Sequence, residues 1–352
     1  MDKQLESPEA IGVVDAIFAV AGILPGKRAT RVGSWSGGER IKAVRSSPGQ
    51  VVKKGRPGVV NVDSLHEIRG VVHGFSTRLG GVSTVYGGGE LNLGWTPSDP
   101  PEATRKNRKL FLGEVAGKSR FELVTVRQTH SGLIRVIEKE HGPLTAPDGK
   151  AVLRGDGLIT DVPGLLLGVQ TADCVPVLIA DRKTGAVAAF HAGWRGTLKR
   201  IVERGVGTMR LRYGSKPKDL LAVVGPSIGA CCFAVGEEVK FEFMSQFAYA
   251  PELFTEVFDS DPVRDKYPLL FLTARAPGHS PIGPQIHLDL WEANRRQLLD
   301  AGIPAKNISV VGECTGCTRL KGGGRKYFSH RMEHGFAGRM LNVIGRTSES
   351  AS

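Results

Sequence analysis

The stretch Gln170–Gly196, QTADCVPVLIADRKTGAVAAFHAGWRG, holds two apolar runs, Val175–Ala180 and Ala186–Phe190, separated by Asp181–Arg182–Lys183–Thr184–Gly185. Short apolar runs bounded by turn residues predict a buried β-hairpin. Pro176 lies near the start of its run, where a missing N–H is tolerated. Cys174 opens the first run and His191 closes the second, so antiparallel pairing brings both side chains to one end of the hairpin. Gly193 beside them permits close backbone approach. A thiolate and an imidazole so placed are suitable ligands for a borderline-soft metal ion. The residues alone leave a second reading open, an ordinary buried Cys and a hydrogen-bonded His.

A chain of 352 residues has room for one large domain or two ordinary ones. Hydrophobic content of 41% and charged content of 23% belong to a soluble globular class, and 46 glycines predict many turns and few long helices. The net charge of +12 is spread along the chain and forms no dense tract. It reads as a basic surface that favours anionic small molecules or weak nucleic-acid association, with no specific nucleic-acid partner. Five cysteines, an odd number in a long chain, do not make a secreted disulfide framework. Reduced thiols and a cytoplasmic setting are expected. The apolar run Ile11–Leu24 contains Asp15, lacks a basic start and is too short to cross a bilayer, so no membrane association is expected.

Residues 1–58 read as an appendage. Between Gly26 and Gly58 nine Lys and Arg residues stand among Gly, Ser and Pro, a composition that cannot bury enough surface to hold an ordered core. The compact domain is expected over 59–346, followed by a tail at 347–352. His73–Ser83 reads as a strand entering a glycine turn, where Arg78 is either an anion contact or an ordinary loop arginine. A helix is expected over Pro97–Leu112, capped by Ser98 or Asp99. Phe121–Val126 and Leu133–Glu138 read as a strand pair, with His130 in the turn between them. Residues 139–154 form a polar loop. Strands follow at Leu158–Thr160, Leu165–Val169, Leu220–Val224 and Ile308–Val311, and a last one at Tyr327–Arg331. Helices are expected at Leu198–Met209, Glu237–Phe247 and Leu288–Ala301. The segments Leu269–Leu272 and Pro281–Pro284 read as irregular.

Cys314 and Cys317 have C-x-x-C spacing, and His330 and His334 follow at H-x-x-x-H spacing. This satisfies a two-Cys, two-His zinc pattern. Gly322–Gly323–Gly324 lies where the helix of such a finger should form, which argues against it. Whether these four residues bind a second metal is open at this level.

The segments HGFSTRLGGVS, LNLG, RQTHSG, GDGLIT, QTADCVPVLIAD, AAFHAGWRGT, VGPSIGACCF and YFSHR–GFAGRM occur in one order over about residues 60–345. That order resembles the multicopper polyphenol oxidase, or laccase-domain, family. Its members are now described as purine nucleoside phosphorylases and some as peptidoglycan editing factors. The resemblance implies an α+β fold in one domain, a mixed-sheet α/β sandwich of the cytotoxic necrotising factor-like type. It also implies a zinc site formed by His130, Cys174 and His191, which would then be the catalytic residues. Ser131 stands where the motif often has Gly. The interval from His130 to Cys174 is longer than usual because of the loop around Pro143–Ala151.

Two imidazoles and a thiolate leave the fourth tetrahedral position open, as a catalytic zinc requires. The resemblance implies phosphorolysis of adenosine, inosine and methylthioadenosine, with adenosine deamination as a second activity, so purine nucleosides and phosphate are the expected partners. Arg78 and Arg195 are candidates for anion positioning. Asp173, His330 and Arg331 are weaker candidates for proton transfer or substrate contact, and Asp173 equally suits a turn-capping role. Two other enzymatic readings compete, besides a non-enzymatic, metal-stabilised binding module. One is a copper-dependent polyphenol oxidase, since a His2Cys set also describes a blue-copper site. The other is a Cys-His hydrolase that edits peptidoglycan precursors with Cys174 as nucleophile. The oligomeric state is not legible.

Overall fold

The structure, a computed structural model, describes residues 56–257 and 285–348. Nearly all of the expected appendage, and the segments Leu269–Leu272 and Pro281–Pro284, lie outside the described residues. The strands run in order as β1 Val59–Val60, β2 Val71–Ser76, β3 Leu79–Ser83, β4 Glu122–Thr125, β5 Ile134–Val136, β6 Gly157–Thr160, β7 Leu165–Thr171, β8 Val175–Asp181 and β9 Val187–Ala192. They continue as β10 Leu220–Val224, β11 Ala234–Val235, β12 Phe254–Val257, β13 Gln285–Leu288, β14 Ile308–Val310 and β15 Met340–Arg346. Two large mixed sheets result, in the orders β1-β2-β15-β7-β4 and β14-β10-β8-β9-β6-β5, with a small sheet β11-β13-β12.

Side-chain alternation explains the layering. In β8, Leu178 and Ala180 face one way and meet Val169, Leu167 and Ile344 of the first sheet. Val177 and Ile179 face the other way, onto Val202, Val206 and Met209 of the helix Ile201–Tyr213 and Leu298 of the helix Leu290–Asp300. Leu166, Leu341 and Val343 leave the first sheet on its outer face and meet Phe111 of the helix Pro101–Ala116. The result is four layers, helix, sheet, sheet, helices: the α/β sandwich that the family resemblance implies. Strands buried on both faces read as continuous apolar runs, as VPVLIAD does.

The central hairpin forms as expected, with β8 and β9 antiparallel and Pro176 opposite His191. Other expectations need correction. β4 and β5 do not pair with each other: β4 runs parallel to β7 in the first sheet and β5 parallel to β6 in the second. The RQTHSG segment therefore crosses from one sheet to the other. Tyr327–Arg331 is not a strand. The last strand is β15, which sits between β2 and β7 at the centre of its sheet. The helix expected from Pro97 begins at Pro101, because Asp99 is buried and accepts from the Ser83 hydroxyl at 2.6 Å and the Asn92 amide at 2.7 Å. The helix expected over Leu198–Met209 is split at Arg200, whose φ of 54° is left-handed.

Candidate metal centre

The hairpin brings Cys174 and His191 to one end, and the crossing segment delivers His130 to the same place. The donor atoms of His130, Cys174 and His191 all lie within 4.8 Å of one another. The Cys174 sulfur stands 4.0 Å from His130 Nε2, and the two imidazole rings are 5.0 Å apart, edge to face. A Cβ on Gly193 would come within 2.8 Å of the Cys174 sulfur and 3.5 Å of the His130 ring. Close approach at Gly193 is thus a requirement of the site.

The crossing segment is held by two side chains. The Gln128 amide donates to the Gln170 carbonyl and accepts from the Gln170 N–H, both at 2.7 Å, which fastens the segment to β7. Asp156, fully buried just ahead of β6, accepts from the N–H groups of Thr129 at 3.2 Å, His130 at 3.0 Å and Ser131 at 2.6 Å. His130 has a φ of 55°, a conformation costly to a non-glycine residue unless its surroundings enforce it. Those three bonds enforce it. The Ser131 hydroxyl also donates to this carboxylate, at 2.6 Å, and the Thr129 hydroxyl at 3.4 Å, so both side chains add to the cradle.

Asp156 also grips His191, whose Nδ1 lies 2.8 Å from its carboxylate. That bond leaves Nε2 of the buried ring to face the thiol, the carboxylate–histidine arrangement that supports metal ligands. Burial opposes charge on Asp156, but hydrogen bonds from His191 and Ser131 outweigh it and hold the carboxyl well below its usual range. Burial likewise opposes charge on Cys174, yet His191 and His130 bring the thiol down to about 6. His191 is pushed up to about 9, since Cys174 and Asp156 outweigh the effect of its burial. The two groups thus favour each other's charged forms, and a cation bound here would compete with the proton on His191. Two imidazoles and one thiolate suit zinc, with a position left for substrate. Among the described residues, none of those lining the cleft is a methionine.

The three ligands line a cleft of about 780 Å³ together with Arg127, Lys150, His330 and Arg339. The loop that lengthens the His130–Cys174 interval forms one wall through Ala146, Asp148 and Lys150. It is pinned by the Trp95 indole N–H, which donates to the Gly149 carbonyl at 3.0 Å.

The remaining candidates fare differently. His330 is exposed at the cleft. The expectation that Arg78 meets an anion is corrected: its guanidinium is buried and paired with Glu90 and Glu333, both at 2.9 Å, with Phe328 stacked against it. Arg195 is exposed but stacks on Trp194 and is not among the cleft residues. Asp173 spends both oxygens on structure, accepting from the Thr315 hydroxyl at 2.6 Å and the Arg331 N–H at 2.7 Å. The Arg331 side chain reaches away to the Ala234 carbonyl. Cys314 and Cys317 gather with Cys231 and Cys232, not with His330 and His334, so the two-Cys, two-His pattern is not a site.

Sequence reasoning missed Asp156, Arg127 and Arg339 as members of this region. The signal for Asp156 was a carboxylate between two glycines directly ahead of a buried strand. Arg127 and Arg339 stand inside quoted motifs, RQTHSG and GFAGRM, without anything in the spacing to aim them at the cleft.

Buried Asp156 and His191, half-buried Cys174 and exposed His130 define a candidate metal centre at the rim of a two-sheet sandwich. Residues 72–347 match the family of multi-copper polyphenol oxidoreductase laccases, and the chain belongs to that family. It is 34% identical over 260 residues to a purine nucleoside phosphorylase of Bacteroides thetaiotaomicron, covering 73% of this chain and 86% of that relative. It is 36% identical over 210 residues to the adenosine deaminase RL5 of an unknown prokaryotic organism, covering 59% and 71%. The crystal structure of the Bacillus licheniformis hypothetical protein YfiH superposes with a TM-score of 0.68 at 30% identity, over 83% of this chain and 97% of that one. Among the described residues no helix is long and apolar enough to cross a membrane.

Proposed function

We propose that the chain is a zinc-dependent purine nucleoside phosphorylase acting on adenosine, inosine and methylthioadenosine. The observation that carries this reading is the convergence of His130, Cys174 and His191 in one cleft with Arg127 and Arg339. A relative named purine nucleoside phosphorylase supports the reaction class. Phosphorolysis requires a phosphate oxygen to bond to ribose C1′ as the bond from C1′ to N9 breaks. The electron pair leaves on the purine, which takes up a proton. Arg127, exposed and without a side-chain ion pair among the described residues, is the group to bind the phosphate. His330 is the group to hold a proton near the departing ring. A zinc ion bound by the three ligands supplies Lewis acidity toward an oxygen or nitrogen of the substrate.

Adenosine deamination is the second activity, in which water replaces the C6 amine and ammonia leaves. Its support is the relative named adenosine deaminase. The decisive assay mixes inosine and phosphate and follows hypoxanthine and ribose 1-phosphate, with zinc content measured on the same samples. Cys174→Ala and His191→Ala should lose turnover together with the zinc bound at His130, Cys174 and His191. No product from the native chain, or full turnover in both variants, overturns the proposal. A covalent acyl adduct on Cys174 would establish the hydrolase alternative instead.

A further inference from the structure

Four of the five cysteines lie outside the centre described above. Cys231 and Cys232 occupy the turn after β10, and Cys314 and Cys317 the turn after β14. β10 and β14 are parallel neighbours, so their C-terminal turns leave the sheet side by side. The ladder continues beyond both strands through a bridge between Ser227 and Cys314. The Ser227 N–H donates to the Glu313 carbonyl at 3.3 Å, and the Thr315 N–H donates to the Ser227 carbonyl at 3.0 Å. Gly316 allows the turns to touch, since a Cβ there would lie 2.9 Å from the Cys232 Cβ.

All four sulfurs lie within 4.8 Å of one another, and those of Cys231 and Cys317 are 3.5 Å apart. Cys314 is buried at the base while Cys231 and Cys317 are exposed at the rim. We infer that these four thiols form a second metal site, a tetrathiolate site for a single zinc ion. With zinc–sulfur bonds of about 2.3 Å, the sulfurs of a tetrahedron stand about 3.8 Å apart, close to the spacing seen here. Iron–sulfur clusters hold their ligand sulfurs further apart, because several irons stand between them. The Gly229 N–H donates to the Cys314 sulfur at 3.2 Å, the outer-shell support usual around a metal thiolate. Four protein ligands close the coordination sphere, so the site is structural. Binding releases the thiol protons to solvent.

The ion would cross-link the two turns that seat the residue ahead of Cys174. Thr315 donates its hydroxyl to the Asp173 carboxylate, and the Ile228 N–H donates to the Asp173 carbonyl at 2.9 Å. Asp173 itself has a left-handed φ of 89°, a conformation that needs such bracing.

The test uses the full chain purified under reducing conditions, with metal analysis, cobalt substitution and thermal melting. The double variant Cys231→Ser/Cys317→Ser changes exposed residues, and circular dichroism reports whether it folds. It should lose one zinc equivalent per chain, lower the melting midpoint and cut the sulfur-to-cobalt charge-transfer absorbance to roughly one fifth, the share of one thiolate among five. Cys174→Ser separates the two sites: it should keep the tetrathiolate zinc whether or not the first centre binds metal. Three results would overturn the inference: unchanged zinc content in the double variant, iron in place of zinc, or a metal-free native chain carrying a Cys231–Cys317 disulfide in non-reducing mass spectrometry.

Discussion

His191 and Asp156 are joined twice: the imidazole Nδ1 lies 2.8 Å from the carboxylate, and the His191 N–H donates to the Asp156 carbonyl at 2.7 Å. The main-chain bond belongs to the β6–β9 edge and survives any side-chain change. The side-chain bond fixes which ring nitrogen faces Cys174. Asp156→Asn should therefore keep the sheet and weaken zinc binding about 10- to 100-fold, as loss of outer-shell partners does. Competition with a zinc-sensitive dye measures this. Unchanged affinity would show that the carboxylate serves only the backbone of residues 129–131.

Gly193→Ala isolates the demand for close approach. The added methyl meets the Cys174 sulfur at 2.8 Å, inside any real contact distance. Zinc stoichiometry should fall well below that of the native chain while the far-ultraviolet spectrum stays native. Wild-type zinc content in this variant would mean that the hairpin end yields without harm to the site.

Arg127→Ala tests the assignment of the phosphate. The side chain is exposed, so stability should change little. Loss of a charge-assisted hydrogen bond of ~1.5 kcal/mol predicts a KM for phosphate raised about tenfold, with the KM for inosine nearly unchanged. Equal rises in both constants would place the arginine elsewhere in the reaction.

A pH effect on stability arises far from the ligands, at His73. Burial chiefly, with help from His66, brings this imidazole down to about 4, and in its neutral form it accepts the Val62 N–H at 2.9 Å. The unfolded chain protonates near the ordinary value of 6.5, so the unfolded state binds the extra proton first as pH falls. The contribution is fully present above pH 6.5 and is lost progressively toward pH 4, reaching about 3 kcal/mol. Denaturant midpoints across that window should fall steeply in the native chain and less steeply in His73→Leu. Parallel curves would exclude His73 as the source.

The hairpin was legible because its strands are buried on both faces and its turn is polar, so apolar runs and turn residues marked its ends. Cys174, His191 and Gly193 followed from that pattern. The partnership of β4 with β7 and β5 with β6 was not legible, since sequence neighbours usually pair and nothing local in RQTHSG signals a crossing between sheets. The place of Arg78 stayed open for a related reason: a guanidinium beside two glycines looks free until Glu333, distant in sequence, folds against it. Asp156 shows the same limit from the other side. Its role depends on the β6–β9 register, which sets it beside His191, and the strand segments alone do not carry that register.

The central place of β15 has a consequence for synthesis. β2 and β7 leave the ribosome early, yet neither can pair fully until residues 340–346 arrive between them. His130, Cys174 and His191 all precede that strand by well over a hundred residues. A nascent chain in which β2 and β7 form before β15 arrives would leave two apolar strand edges open. Pairing of β15 with both neighbours is then the step that closes the sheet.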